Sequence, residues 1–334
     1  MTNRERVIKA INFQQTDYLP YEVGFTQQLR EKVIEAYGEA FINSYTNNIT
    51  LYGLQGSRGA DMNTDEYGVF WDKSGADKDI GVPAKYHIQT EEDFEKYEWP
   101  PIDEAFIREQ SEALMKTDPN NFRALGIGFT MYERLWTLMS IEETLANMVC
   151  EPELCHGILE QTCRRIEKML DIALEYNYDG FYFGDDWGQQ QGLIMGPAHW
   201  RTFIKPYMAR LYKMVRESGK YVIQHSCGDI REIMEDAYEI GLNVYQTFQP
   251  EIYGLDYSKK LHGKIAIWGG ISTQNDLPTK TLEEIRNIVR TTIAHFRNTG
   301  GIIIAPTHSM PADIPVENVK AMVEEFLNQE GTAI

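Results

Sequence analysis

A histidine and a cysteine stand two residues apart in the segment His225-Ser226-Cys227, at the end of the largely apolar run Tyr221–Gln224. On an extended backbone, side chains two residues apart point to the same side. An imidazole and a thiolate on one side of a strand can bind the same Zn²⁺ ion. A histidine and a cysteine buried in an ordinary turn would give the same pattern, so these residues alone leave both interpretations open.

A second histidine, His308, follows the apolar run Ile302–Ala305 near the end of the chain. If both runs are strands of one parallel barrel, their carboxyl ends deliver side chains to a common point. His225, Cys227 and His308 would then supply three metal ligands and leave a fourth position open, as in catalytic zinc sites. The alternative is a loop histidine that hydrogen-bonds to nearby backbone groups.

Two adjacent carboxylates, Asp185 and Asp186, end a third apolar run at Gly180–Gly184. They are candidate catalytic residues, because a carboxylate at a strand end can act as an acid or base or hydrogen-bond to a metal-bound histidine. Aspartate also caps turns, and we expect that structural role for one of the two.

Aromatic residues cluster near the same strand ends and predict a flat, apolar substrate-binding wall. Any one of them could equally belong to the core. The candidate substrate-binding residues are Tyr132, Trp136, Trp187, Phe248 and Trp268.

The elements that would position these side chains alternate between short apolar runs and long helical patterns, which is typical of βα units around a parallel sheet. We therefore predict an α/β fold, a single (β/α)8 TIM barrel, with residues 1–334 forming one domain. The predicted strands of this part are Phe122–Gly128, Gly180–Gly184, Tyr221–His225, Val244–Phe248, Ile265–Trp268 and Ile302–Ala305. The predicted helices include Pro152–Glu175, Pro197–Ser218, Ile230–Tyr238, Leu282–Asn298 and Pro315–Asn328.

The first third of the chain is less regular. Tyr18–Gly24 is predicted as the first strand, Thr26–Tyr37 as a helix and Ile49–Gly53 as a second, weaker strand. The segments Asp65–Asp72 and Val82–Ile88 predict a small N-terminal β-excursion from the barrel.

Composition excludes several classes of partner. The chain of 334 residues has 32 basic and 50 acidic side chains and a formal net charge of -18. That charge argues against nucleic acid and anionic lipid as partners, because both require a basic surface. No apolar run is long enough to span a membrane, and the first residues lack the apolar core of a secretory signal. We expect a cytoplasmic protein.

Three of the four cysteines, Cys150, Cys155 and Cys163, lie in an amphipathic helical stretch. A cysteine in such a pattern usually serves as a small buried apolar residue. We expect that structural role for all three and a chemical role for Cys227 alone.

Several motifs, each weak alone, together resemble the uroporphyrinogen decarboxylase-like superfamily. The resemblance runs from about residue 2 to residue 328 and implies a (β/α)8 barrel. The motifs are Arg4-Glu-Arg-Val-Ile-Lys-Ala-Ile-Asn12, Asp17-Tyr-Leu-Pro20, Asp65-Glu-Tyr-Gly-Val-Phe-Trp71, Gly184-Asp-Asp186, His225-Ser-Cys-Gly228 and Pro315-Val-Glu-Asn-Val319.

The superfamily contains two chemistries, and this chain resembles the corrinoid-dependent methyltransferases more than the true decarboxylases. The latter carry an arginine-rich motif after the first strand, where this chain has Glu22–Gln28 without an arginine. The methyltransferases bind zinc through a His-x-Cys pair, which His225 and Cys227 match, and a cysteine near the last strand, where this chain has His308.

The resemblance thus implies a zinc-dependent methyltransferase of a corrinoid system. Its cofactor would be Zn²⁺, and it would take a methyl group from a small methoxylated or methylated compound and pass it to a corrinoid protein. The alternative is a metal-independent decarboxylase or other lyase of the same superfamily. A non-catalytic protein that binds a tetrapyrrole or corrinoid partner is a third hypothesis.

Overall fold

The computed structural model describes residues 1–75 and 81–329, and its central element is a curled sheet of seven parallel strands. Each strand pairs with the one that precedes it in the chain, in the order β1 to β7. The strands are β1 (Ile49–Gly53), β2 (Phe122–Ile127), β3 (Gly180–Gly184), β4 (Tyr221–His225), β5 (Val244–Phe248), β6 (Ala266–Ile271) and β7 (Ile302–Pro306).

Helices connect and cover these strands. The longer helices are Asn3–Ile11, Gln27–Tyr37, Glu104–Met115, Tyr132–Met139, Ile141–Cys150, Pro152–Ala173, Lys205–Glu217, Leu282–Phe296 and Val316–Asn328. The shorter helices are Glu39–Ile42, Glu91–Lys96, Gly196–His199, Met234–Glu239, Pro250–Tyr253, Ser258–Leu261 and Asp276–Thr279, with a π-helix at Trp200–Ile204 and 3₁₀ turns at Arg231–Ile233 and Leu255–Tyr257.

The predicted α/β fold with a parallel sheet is confirmed, but the strand count differs. The segment Tyr18–Gly24 forms one isolated parallel bridge, between Tyr21 and Ile304, in place of the predicted first strand. On its other side the backbone N–H of Tyr21 donates to the side-chain oxygen of Asn48 at 3.0 Å. The Asn48 backbone N–H donates to the Tyr21 carbonyl at 3.0 Å, but the N–H groups of Tyr21 and Val23 bond to asparagine side chains and not to the backbone of β1. Since Pro20 also has no N–H, no continuous ladder forms here.

The N-terminal β-excursion is present but shorter than predicted. Trp71–Asp72 pairs antiparallel with Val82–Pro83, and Thr64 makes a further bridge to Phe70. The remaining residues of the two predicted segments lie outside any strand in the described part of the chain.

Apolar side chains pack on both faces of the curled sheet, as expected for strands covered by helices. The outer cluster joins the sheet to the helices. The inner cluster lies within the curl, where Val7 and Ile11 of the first helix pack against it. Its strand members are Ile49, Phe122, Ala124, Ile223, Val244, Ala266, Trp268, Ile303 and Ala305. The inner face is therefore set by alternate residues of each strand.

The expected burial of three cysteines is confirmed for two of them. Cys155 and Cys163 are buried as expected, whereas the prediction for Cys150 is wrong: its side chain is exposed at the last residue of helix Ile141–Cys150.

Within the described ranges, no helix combines the length and apolar character that crossing a membrane requires.

Candidate metal centre and its cavity

The register of three neighbouring strands brings His225, Gln246 and Trp268 into one row. Gln246 on β5 is paired with His225 on β4 and with Trp268 on β6. His225 is two residues beyond Ile223, and Trp268 is two residues beyond Ala266, both members of the inner cluster. All three side chains therefore share the inner face of the sheet near the strand ends.

The three predicted metal ligands lie together. One nitrogen from each of His225 and His308 and the sulfur of Cys227 are all within 4.8 Å of one another. His225 Nε2 and Cys227 Sγ are 3.7 Å apart. Tetrahedral zinc with bonds of about 2.0–2.3 Å holds its ligand atoms about 3.3–3.8 Å apart. The donor set and spacing therefore fit a zinc ion after a side-chain shift of about 1 Å.

His308 follows β7, a strand that is not paired with β4, and it still reaches the cluster. Its ring centroid is 5.6 Å from that of His225. The side chain is exposed to the cavity, yet many protein atoms surround the imidazole. This partial burial and the nearby His225 lower the pKa of His308, so the neutral form that binds metal is favoured.

Gln246 is a site residue that the sequence analysis missed. Its side-chain oxygen makes a short contact with His225 Nδ1 and accepts a hydrogen bond from the Tyr182 hydroxyl at 3.2 Å. Its amide nitrogen donates to the backbone carbonyl of Thr307 at 3.2 Å. Because an amide oxygen accepts, Nδ1 must carry a proton. Burial opposes protonation of the second nitrogen, Nε2, but Tyr182 and the other polar neighbours outweigh burial and raise the pKa of His225 well above its usual value. A metal ion at Nε2 would therefore displace a proton.

Asp186 borders the cluster. One of its carboxylate oxygens accepts the backbone N–H of Cys227 at 2.8 Å and lies 3.3 Å from His225 Nε2. Burial opposes ionisation of Asp186, but its contacts with His225 and the Cys227 backbone outweigh burial and lower the pKa. Asp186 is therefore a charged group beside the proposed ligands.

Asp185 has a different environment. Its carboxylate is fully buried and accepts the backbone N–H groups of Tyr132 at 2.9 Å and Glu133 at 2.7 Å. The indole N–H of Trp187 donates to it at 2.6 Å. Burial raises the pKa of Asp185, and these donors act in the opposite direction. Its contacts connect the end of β3 to the first turn of helix Tyr132–Met139.

Glu133 is a third carboxylate near this strand end, also missed from the sequence. Burial and the proximity of Asp186 and Asp185 raise its pKa well above the usual value. The sequence offers one signal for it: Glu133 lies in the first turn of the helix that follows β2. Because the carboxyl ends of parallel strands converge, such a residue is expected near the other strand ends.

Gly228 allows the loop after β4 to pack tightly. Its φ of +79° is in the left-handed region, and a Cβ there would lie 2.3 Å from the backbone carbon of Gly188. Only glycine satisfies both requirements without strain. The motif His225-Ser-Cys-Gly228 therefore combines two potential ligands with the turn that holds them.

A cavity of about 730 Å³ adjoins the cluster, with His225, Gln246 and His308 in its wall. Of the five predicted aromatic residues, Trp268 lines it, together with Tyr182. Tyr132, Trp187 and Phe248 are buried in the core, and Trp136 packs against Phe129 with ring centroids 6.2 Å apart.

Comparison with known proteins places this fold in a family. The family model for uroporphyrinogen decarboxylase (URO-D) matches residues 2–328. The chain belongs to the uroporphyrinogen decarboxylase family. Two curated relatives, uroporphyrinogen decarboxylases from two strains of Thermus thermophilus, are each 27% identical over 183 residues. That match covers 54% of this chain, and the chain spans about half the length of these relatives, 50%.

A solved structure shares the fold of this uroporphyrinogen decarboxylase family member. It is a methyltransferase from Methanosarcina mazei, with a TM-score of 0.74 and 15% sequence identity. The similarity covers 98% of this chain and 99% of the other.

The charge in the cavity of this family member is unusual for binding a polycarboxylate. Among the described residues, Arg30 is the one arginine in the cavity wall, on helix Gln27–Tyr37, and its guanidinium lies 3.6 Å from Glu39. Glu22, in the segment where true uroporphyrinogen decarboxylases are expected to carry an arginine-rich motif, lines the same cavity. The wall therefore lacks the arginine cluster that would grip several carboxylates.

Proposed function

We propose that this protein is a zinc-dependent methyltransferase that passes a methyl group from a small methoxylated or methylated compound to a corrinoid protein. The observation that carries the proposal is the cluster of His225, Cys227 and His308 donor atoms within 4.8 Å beside a large cavity. Three nitrogen and sulfur ligands with an open fourth position are typical of catalytic zinc.

The residues of the site have separate tasks in this proposal. His225, Cys227 and His308 would hold the ion, and Gln246 would fix the tautomer and orientation of His225. Zinc bound there would supply Lewis-acid polarisation of the atom that carries the methyl group. Asp186 would hold the Cys227 backbone through its 2.8 Å hydrogen bond. Asp185 would have a structural task, since it holds the end of β3 to helix Tyr132–Met139.

The partner and the substrate are inferred from the cavity. Its wall offers Trp268 and Tyr182 to a flat apolar group, and it opens to solvent so that a corrinoid carried by another protein could approach. The shared fold with a methyltransferase, at a TM-score of 0.74, supports methyl transfer as the reaction. We further infer one domain over residues 1–334, in which Tyr18–Gly24 occupies the position of an eighth barrel strand.

The first prediction tests the zinc site through Cys227. Zinc bound to the purified wild-type protein should approach one ion per chain, and the Cys227→Ala variant should lose it, because a thiolate ligand is removed. Mixed with a reduced corrinoid protein and a panel of methoxyarenes and methylamines, the wild-type protein should methylate the cobalt, as followed by its absorbance. Cys227→Ala should not.

Cys150→Ala is the matched control, because Cys150 is exposed and lies outside the cavity wall. It should retain zinc and activity. A wild-type protein that binds no zinc, or equal activity in Cys227→Ala, would overturn the proposal.

A decarboxylase is the second candidate, favoured by the two curated relatives at 27% identity. Carbon dioxide release from a carboxylated substrate, without a zinc requirement and without corrinoid methylation, would establish it instead. The sparse positive charge of the cavity wall disfavours a porphyrinogen that bears many carboxylates.

A further inference from the structure

Glu22 places a carboxyl group in the wall of the cavity that also contains His225 and His308. The backbone N–H of Glu22 donates to the carbonyl of Ile304 in β7 at 3.1 Å. The residue is therefore fixed to the same strand that precedes His308. In the ranges that the structure describes, no lysine or arginine forms an ion pair with its carboxylate.

The surroundings of Glu22 favour its neutral form. Burial raises the pKa of Glu22 to about 7, and an interaction with the Trp268 side chain opposes this in part. Tyr45 lies close enough that a charged Glu22 would raise its pKa. The other titratable or charged groups in the cavity wall are Arg30, whose nearest acid is Glu39 at 3.6 Å, Tyr182, His225 and His308. Near neutral pH the carboxyl thus has a proton to give.

We propose that Glu22 is the proton donor to the ether oxygen of an aryl methyl ether, which makes this substrate class the methyl donor. The inference rests on the proposed methyl transfer. An ether that loses its methyl group leaves as a phenolate and needs a proton at that moment.

The step balances as follows. The bond between the methyl carbon and the ether oxygen breaks, and its electron pair stays on the oxygen. The methyl carbon forms its new bond with an electron pair from the reduced corrinoid of the partner protein. The proton on the Glu22 carboxyl moves to the oxygen, the phenol leaves, and solvent returns a proton to Glu22.

Other acids near the cavity are less suited to this task. Asp186 has a lowered pKa and is charged, and Glu133 does not line the cavity. Burial raises the pKa of Tyr182 to about 12, so its phenol gives up a proton less readily. Among the described residues, Glu22 is the one carboxyl-bearing side chain in the wall of this cavity, and its pKa is about 7.

The second prediction compares methyl ethers that release phenols of different acidity. For 4-methylanisole, which releases a weakly acidic phenol, E22Q should slow corrinoid methylation by about 10²–10⁴-fold. For 4-nitroanisole, whose phenol leaves readily without a proton, the loss should be small. Zinc content should stay unchanged. Glu35→Gln, an exposed change on the adjacent helix, should match wild type with both ethers.

Equal slowing for both ethers would mean that Glu22 only shapes the cavity, and would overturn the inference while leaving the methyltransferase intact. Methylation from methylamines but from no methyl ether would also overturn it alone. No corrinoid methylation from any substrate would overturn the proposed function as well.

A readout independent of turnover is the infrared spectrum of the wild-type protein between about pH 5 and pH 9. A protonated-carboxyl band should disappear with a midpoint of about 7, and this component should be missing in E22Q. If the two proteins give the same titration, Glu22 carries no proton to donate.

Discussion

His225 has two ring nitrogens with separate partners, and this determines what the residue can bind. Nδ1 contacts the Gln246 amide oxygen, whereas Nε2 lies 3.7 Å from Cys227 Sγ. Metal-binding histidines usually donate their second N–H to such an acceptor, which fixes ring orientation and raises ligand basicity. Gln246 also reaches the backbone of Thr307, next to His308. One amide therefore supports ligands from two strands.

The third prediction concerns this amide. Gln246→Leu removes the acceptor for Nδ1 and should weaken zinc affinity by about 10–100-fold. Gln246→Glu keeps the acceptor for Nδ1 but loses the N–H that the Thr307 carbonyl accepts, and should weaken zinc affinity less than Gln246→Leu. Competition with a chromophoric chelator measures both affinities. Gln274→Leu, an exposed change outside the cavity wall, is the control, and equal affinities in all four proteins would exclude a supporting role for Gln246.

The candidate ligands could be predicted from their residue types, but their supporting residues could not. His225 and Cys227 share a face through their spacing alone. Gln246 becomes a neighbour of the cluster only through strand register, and Glu22 reaches the cavity only because its segment bridges to β7. A buried glutamine within the apolar strand Val244–Phe248 was the only available signal, because buried polar groups need partners.

At the scale of elements, the two adjacent aspartates at the end of β3 serve different structures. Asp186 faces the cluster, whereas Asp185 turns towards helix Tyr132–Met139 and accepts two N–H groups of its first turn. These N–H groups have no partner within a helix, so a carboxylate stabilises them. Asp185 thereby connects β3 to the helix that follows β2.

The fourth prediction separates the two aspartates. Asp185→Asn replaces one acceptor oxygen with a donor amide that faces N–H groups, and should lower the free energy of unfolding by about 1–3 kcal/mol. Its zinc affinity should be unchanged. Asp186→Asn should do the reverse, with weaker zinc binding and little change in stability. Urea midpoints and chelator competition measure the two effects; a loss of zinc affinity in Asp185→Asn without destabilisation would contradict the assignment.

Most strands were predictable because their boundaries coincide with short apolar runs. Gly180–Gly184, Tyr221–His225 and Val244–Phe248 agree residue for residue with the predicted strands. The exception, Tyr18–Gly24, contains apolar residues in a strand-like pattern but meets an asparagine side chain on one side. A sequence pattern shows which residues favour an extended backbone and does not reveal what they pair with.

For the whole molecule, acidic residues outnumber basic ones by 50 to 32. Many of the basic groups are used in ion pairs between elements. Arg286 and Arg290 both bind Glu325 at 2.8–2.9 Å and join helix Leu282–Phe296 to helix Val316–Asn328. The surplus of acidic charge therefore remains on the surface, where like charges repel and destabilise the compact state.

The fifth prediction follows from this surplus. Raising NaCl from about 0.01 M to about 0.15 M shortens the screening length from about 30 Å to about 8 Å. The melting temperature should rise, because screening weakens the repulsion within a chain of net charge -18. Screening also weakens exposed ion pairs, but each of these contributes only about 0–1 kcal/mol.

Glu35→Lys reverses an exposed acidic charge in the last turn of helix Gln27–Tyr37. It should raise the melting temperature at low salt and reduce the salt effect, since a cation is favourable near a helix C-terminus. Glu35→Gln should give about half of the change in charge. A melting temperature that falls with added salt would mean that ion pairs such as those of Glu325 dominate over the net repulsion.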